Sequence, residues 1–163
     1  MMEKKKRVFT RLGYSALETA EIVSALNNLL ANYSVHYQKL RNFHWNVKGS
    51  DFFDIHEKFE LQYNDAQLAI DEIAERVRIF GQRPFSTLNE YLTHSIILEV
   101  QTELKADEMV QEVLADYRIL LEKLFDVIDI SLEHGDSGTE DLAKGLVKQM
   151  EKNHWMMTAF SIK

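Results

Sequence analysis

Apolar positions recur at three- and four-residue spacing through most of the chain, the period of amphipathic helices rather than the alternation of strands. Ser15 and Glu18 have capping-box spacing and open the first helix. Beyond them, Ile22, Leu26, Leu29, Tyr33, Tyr37 and Leu40 form one stripe, predicting a helix to about residue 47 that Gly49 ends. Asp54 and Glu57 are the expected cap of a second helix, which runs to about Phe80 and stops at Gly81. Residues 81–105 read as a connection containing a short helix, opened by Thr87 and Glu90. A third helix over about 106–134 follows Val110, Leu114, Tyr117, Leu121, Leu124 and Ile128, and Gly135 closes it. Ser137 and Glu140 are the expected cap of a fourth, carried by Leu142, Leu146, Met150, Met157 and Phe160.

The lengths of the joins then select a topology. The first-to-second and third-to-fourth joins are short, so each pair is expected to form an antiparallel hairpin. The join between the pairs is roughly 25 residues, long enough to travel the length of a bundle. Two hairpins linked by one long crossover describe an all-α, ferritin-like four-helix bundle with a short helix in the crossover. The expected organisation is a basic tail over 1–14 and a single domain over 15–163.

Composition supports this reading and narrows the chemistry. A chain of 163 residues with one proline and six glycines suits long helices and a core large enough to need no staples. It contains no cysteine, which removes disulfides, thiolate metal sites and a cysteine nucleophile. No apolar run approaches the roughly 20 residues of a membrane helix, and the first residues lack the apolar segment of a signal peptide. The expectation is therefore a cytoplasmic protein with no membrane partner. Net charge is −7, yet Lys4, Lys5, Lys6, Arg7 and Arg11 against Glu3 give residues 1–14 a charge of +4. An acidic body disfavours a DNA-binding groove, while the tail is able to contact phosphates or simply be solvated.

The second helix carries the candidate chemistry. At about 100° per residue, with His56 at zero, Glu60 falls near 40°, Asp71 near 60° and Glu75 near 100°. All four share one side of the helix, but roughly 22 Å of helix separates His56 from Asp71. One chain cannot close a single site from both ends of a straight helix. Two copies of the helix, packed antiparallel and crossing near residues 65–66, bring His56 and Glu60 of one against Asp71 and Glu75 of the other. Such an isologous interface makes two identical sites. His44 lies about as far before the 47–54 turn as His56 lies after it, so an antiparallel hairpin brings them level. Two imidazoles with three carboxylates suit a redox-active first-row metal such as iron better than calcium or magnesium, and zinc is also compatible. The ordinary alternative is that the carboxylates of DEIAER make surface or intersubunit ion pairs.

The stretches HWNVKGSDFFDIHEKFE and IDEIAERVRIFGQRPFSTLNEYL resemble the Dps family, the dodecameric miniferritins of starved or oxidatively stressed bacteria. The likeness extends from the first helix to KNHWMMTAF. It implies a ferroxidase centre between two subunits, with His44, His56 and Glu60 from one chain and Asp71 and Glu75 from its mate. Glu60 departs from the pattern, because that position is commonly aspartate. Trp45 matches a tryptophan beside the family's site, where it is either redox-active or a packing residue. The resemblance further implies Fe(II) oxidation, by hydrogen peroxide in preference to oxygen, and ferric mineral stored in a hollow dodecamer built from two-fold dimers. DNA protection at the nucleoid is the alternative activity. Glu133, Asp136, Glu140 and Asp141 are candidates for the lining of an acidic pore.

The remaining histidines read as ordinary. His36 is expected at an interface or the surface, and His94 and His134 near helix ends. Glu151 and His154 have the Glu-x-x-His spacing of ferritin-like bundles, but the chain offers no second copy in a matching helix.

Overall fold

The computed structural model describes residues 11–162. Among them are four long helices, α1 (Ala16–Asn46), α2 (Phe52–Ile79), α4 (Ala106–His134) and α5 (Ser137–Ser161), and a short α3 (Leu88–His94) in the crossover. The fold is all-α and ferritin-like. Most of the basic tail, residues 1–10, lies outside the described residues. No described helix is long and apolar enough to cross a membrane.

Local chemistry explains most of the boundaries. Ser15 and Glu18 form the expected capping box at α1, and Thr87 and Glu90 form another at α3. Gly135, in the left-handed conformation at φ 64°, ends α4, where a side chain would be strained. Three expected boundaries are corrected. α1 ends at Asn46 with Val47 as its cap, before Gly49 is reached. α2 starts at Phe52 behind Asp51, so Asp54 sits within the first turn rather than capping it. α5 is capped by Asp136, whose carboxylate accepts the Thr139 N–H at 3.1 Å, and Ser137 is already helical.

The stripes read from the sequence form the core. Ile22, Leu26, Leu29, Tyr33 and Leu40 of α1 are buried, as are Val110, Leu114, Tyr117, Leu124 and Ile128 of α4. Phe160 is the exception in α5: it is 41% exposed, because the stripe leaves the bundle in the last turn.

The crossover is pinned along α1 by side-chain amides. Asn27 accepts from the Phe85 N–H, Asn32 accepts from those of Ile96 and Ile97, and Asn42 donates to the Val100 carbonyl. Between Asn27 and Asn42 the chain therefore follows roughly 22 Å of α1. This route returns it to the end where α2 began, so α4 starts there and runs parallel to α2. Pairings of His36 and Lys39 with Asp116, and of Glu21 with His134, place α4 antiparallel to α1.

The first of those pairings corrects the expectation for His36. It is 2% exposed and lies in the interior, with Nδ1 2.9 Å from Asp116 Oδ2. Lys39 Nζ holds the other carboxylate oxygen at 2.7 Å. A buried carboxylate needs such partners, since desolvation of an uncompensated charge costs several kcal/mol on the order of the pairing energy itself.

Candidate metal centre

His44 lies in the last turn of α1 and His56 in the second turn of α2. The antiparallel hairpin brings them level, as the spacing around the turn predicts. Their rings stack with centroids 3.8 Å apart and planes inclined by 17°. His44 Nδ1 is 2.7 Å from the carbonyl of His56, and His56 Nδ1 is 2.7 Å from the carbonyl of His44. A carbonyl oxygen only accepts, so each Nδ1 must carry the proton. Each neutral ring then keeps its lone pair on Nε2, the arrangement required of a metal ligand. The His44 carbonyl belongs to the last turn of α1, where it has no helical donor, and the His56 ring supplies one.

Aromatic rings clamp the pair from both sides. Phe52 stacks on His56 at 4.8 Å, and Tyr63 meets His44 edge-on at 5.3 Å. Tyr63 in turn meets Tyr37 at 6.1 Å. The sequence reading does not place these residues at the site, although the hairpin register holds the signal. Tyr37 precedes His44 by two turns and Tyr63 follows His56 by two turns, so they too are level.

His44 is buried and His56 half-buried, whereas Glu60, Asp71 and Glu75 are exposed on α2. In the helical frame used above, the buried residues Ile55, Phe59, Ala66, Ala69, Ile73 and Val77 occupy roughly 220–300°. The four candidate ligands of α2 lie on the opposite, outward arc. Phe53, Leu61 and Leu68 share that arc and are 81%, 54% and 67% exposed. A surface mixing large apolar side chains with acidic ones has the composition of a contact face rather than of a solvated helix back.

Within one chain, no group of three or more His, Cys, Asp or Glu among the described residues converges to hold a metal. The structure thus brings His44 and His56 together and leaves Asp71 and Glu75 further along the same helix. Trp45 is 57% exposed, with the Arg41 guanidinium 4.8 Å from its ring.

The carboxylates around the α4–α5 turn do not act as one set. Asp136, expected at a pore, is 1% exposed and bonded to Arg76 at 2.7 Å, which removes it from any solvent-lined channel. Glu133 and Asp141 are exposed, and Glu140 is half-buried and paired with Lys144.

The sequence profile of the ferritin-like domain matches residues 23–161. DNA protection during starvation protein 2 of Bacillus anthracis is 41% identical over 140 residues, covering 86% of this chain and 96% of that one. General stress protein 20U of Bacillus subtilis is 38% identical, covering 86% of this chain and 97% of its own. The crystal structure of Dps from Vibrio cholerae O1, described as a member of a broad superfamily of ferritin-like diiron-carboxylate proteins, superposes with a TM-score of 0.88. It is 37% identical and covers 91% of this chain and 93% of that one. With fold, length and sequence all matched nearly end to end, the chain belongs to the Dps family of ferritin-like proteins.

Proposed function

We propose that this protein takes up Fe(II) as substrate and oxidises it at sites completed between two copies of the chain, storing the ferric product in a hollow dodecamer. The observation that carries this reading is the reciprocal bonding of His44 and His56. Two histidines whose Nδ1 atoms are both committed to backbone carbonyls present two Nε2 lone pairs side by side, which a purely packing role does not require. His44, His56 and Glu60 of one protomer would form half of each site, and Asp71 and Glu75 of its mate the other half. The exposed apolar residues of the same arc support a second copy as the partner. The name given to the Vibrio cholerae relative, a diiron-carboxylate protein, supports iron as the metal.

This donor set fits iron: neutral imidazole nitrogens with anionic oxygens bind both oxidation states, and the carboxylates favour the product Fe(III). Hydrogen peroxide is the proposed oxidant. Two Fe(II) each give one electron, the O–O bond breaks, and two hydroxides form, so no odd electron is left to make a radical. The protein's part would be to hold the Fe(II) ions and to keep both imidazoles oriented through their Nδ1–carbonyl bonds. Where a single Fe(II) meets peroxide, Trp45, next to His44 in the chain and under Arg41, is the proposed source of the second electron.

Anaerobic Fe(II) titration followed by peroxide tests this reading. We expect stoichiometric uptake and rapid oxidation in the wild type, and loss of both in His44→Ala with Asp71→Ala. Equal kinetics in that variant would overturn the site.

DNA protection is the second reading, supported by the names of the relatives and by the basic residues at the start of the chain. It requires duplex retardation that weakens with salt and disappears on deletion of residues 1–7. Unchanged retardation after that deletion would reject the tail as the contact.

A further inference from the structure

A second polar centre lies in the middle of the bundle, away from the histidine pair. A small cavity of about 20 Å³ is lined by Tyr33 and His36 of α1, Gln62 and Asp65 of α2, Tyr117 of α4 and Asn153 of α5. All four long helices contribute a side chain. Gln62 is 3% exposed and Tyr117 1%. Among the described residues, neither the amide oxygen nor the amide nitrogen of Gln62 has a hydrogen-bond partner, and neither does the Tyr117 hydroxyl.

Three unpaired polar atoms in so dry a place are costly, at about 1–3 kcal/mol each, and buried polar groups in folded proteins are almost always satisfied. His36 gives no relief, because its Nδ1 is committed to Asp116, leaving only Nε2 for any further bond. Burial pushes the Tyr117 phenol well above its ordinary pKa, and Tyr33, Asp116 and Asp65 add to the shift. Tyr117 therefore keeps its proton and remains a donor in need of an acceptor.

The chemistry of the unpaired atoms identifies the occupant. Gln62 Nε2 and Tyr117 O–H are donors, while Gln62 Oε1 and the Tyr117 hydroxyl oxygen are acceptors. A cation satisfies only the oxygen atoms and repels the N–H and O–H donors. Water both donates and accepts. The volume also suits it, since one water needs about 10–15 Å³ of accessible space and two to four polar partners. We propose that the bundle interior of this protein is a binding site for an ordered water molecule held by Gln62 and Tyr117, bridging α2 to α4. α1 packs against both of those helices, and the water supplies a polar tie between them across the core. The site lies beside the His36–Asp116–Lys39 cluster, so it extends one polar network from the centre of α1 into α2.

The test is a high-resolution crystal structure of the assembled full chain, combined with water-oxygen magnetic relaxation dispersion in solution. We expect density in every copy at roughly 2.7–3.2 Å from Gln62 and Tyr117. We also expect the count of long-lived internal waters to fall by about one per chain in Gln62→Met with Tyr117→Phe, which removes the unpaired atoms. Tyr117→Phe alone keeps the volume and is expected to shorten the residence time of the water, giving a readout should the double variant not fold. Absence of density overturns the proposal, as does a direct Gln62–Tyr117 bond or an unchanged residence time in Tyr117→Phe. An anomalous peak with ligand distances near 2.3–2.6 Å would instead identify a cation and also overturn it.

Discussion

The Nδ1 atoms of His44 and His56 each bond the backbone carbonyl of the other residue, both at 2.7 Å. The acceptors are main-chain atoms, so neither tether depends on the other residue's side chain. In His44→Ala, the remaining His56 is expected to keep its Nδ1–H tautomer while losing the stacked ring. Nitrogen-15 shifts of the imidazole report this directly: in both proteins the proton of the neutral ring should stay on Nδ1. Metal uptake should nonetheless fall in the variant. A change of tautomer in His56 would show that the ring is held by stacking instead.

The proposed division of the site between two chains has a distinctive consequence for mixed assemblies. A chain carrying His44→Ala and His56→Ala lacks one half of every site, and one carrying Asp71→Ala and Glu75→Ala lacks the other. Each should be inactive alone. Co-assembled in equal amounts from unfolded chains, they should regain about a quarter of wild-type sites, because half the dimers are mixed and each mixed dimer restores one of two. Ferroxidase rate per chain is the measurement. A mixture as inactive as its components would place the whole site within one chain.

Arg76 joins α2 to the turn between α4 and α5. Its Nε donates to Thr139 Oγ1 at 2.8 Å and its Nη2 to Asp136 Oδ1 at 2.7 Å. Removing it leaves Asp136 a buried, unpaired charge, so Arg76→Ala is expected to destabilise by about 3–5 kcal/mol. Gly138 is coupled to the same contact, since a Cβ there would lie 2.8 Å from the guanidinium. Gly138→Ala should therefore be destabilising in the wild type and close to neutral when Arg76 is already alanine. Denaturant unfolding at fixed subunit concentration tests both statements. Additive effects would dissociate the glycine from the arginine.

The α3 cap has a defined pH window. Hydrogen bonding from Arg83, together with the Ser86 and Thr87 N–H groups, holds the Glu90 carboxyl down to about 2. A folded-state pKa below the unfolded one stabilises the ionised form. The contribution is fully present above the ordinary glutamate value of about 4.3 and is lost as the pH falls towards the folded value. A carbon-13 titration of the Glu90 carboxyl should show the low midpoint. In Arg83→Ala that midpoint should rise, and an unmoved midpoint would remove Arg83 as its principal cause.

Much of this was legible in the sequence because it depends on short-range spacing. Helical stripes, the Ser15 and Thr87 capping boxes and the glycine at 135 are local, and they appear where the pattern places them. So does the level pairing of His44 with His56, since a short turn between two helices fixes their register. The failures were also instructive. Asp51 and Asp136, not the expected residues, stand at the starts of α2 and α5, because the turn geometry chose between several polar residues of similar propensity. His36 and Asp136 were assigned to surfaces from their position along the helix or turn. Their burial depends on Lys39, Asp116 and Arg76, partners distant in sequence that pattern alone does not name.

By itself, then, the sequence determined helices, hairpins and the side of α2 that carries the candidate ligands, all consequences of a fixed rise and rotation per residue. Only the tertiary structure decided which nitrogen of each histidine is free. It also decided that Phe52 and Tyr63 hold the rings and that Gln62 and Tyr117 meet no protein hydrogen-bond partner among the described residues. Those outcomes depend on ångström-scale distances between segments far apart in the chain, which packing sets and periodicity does not.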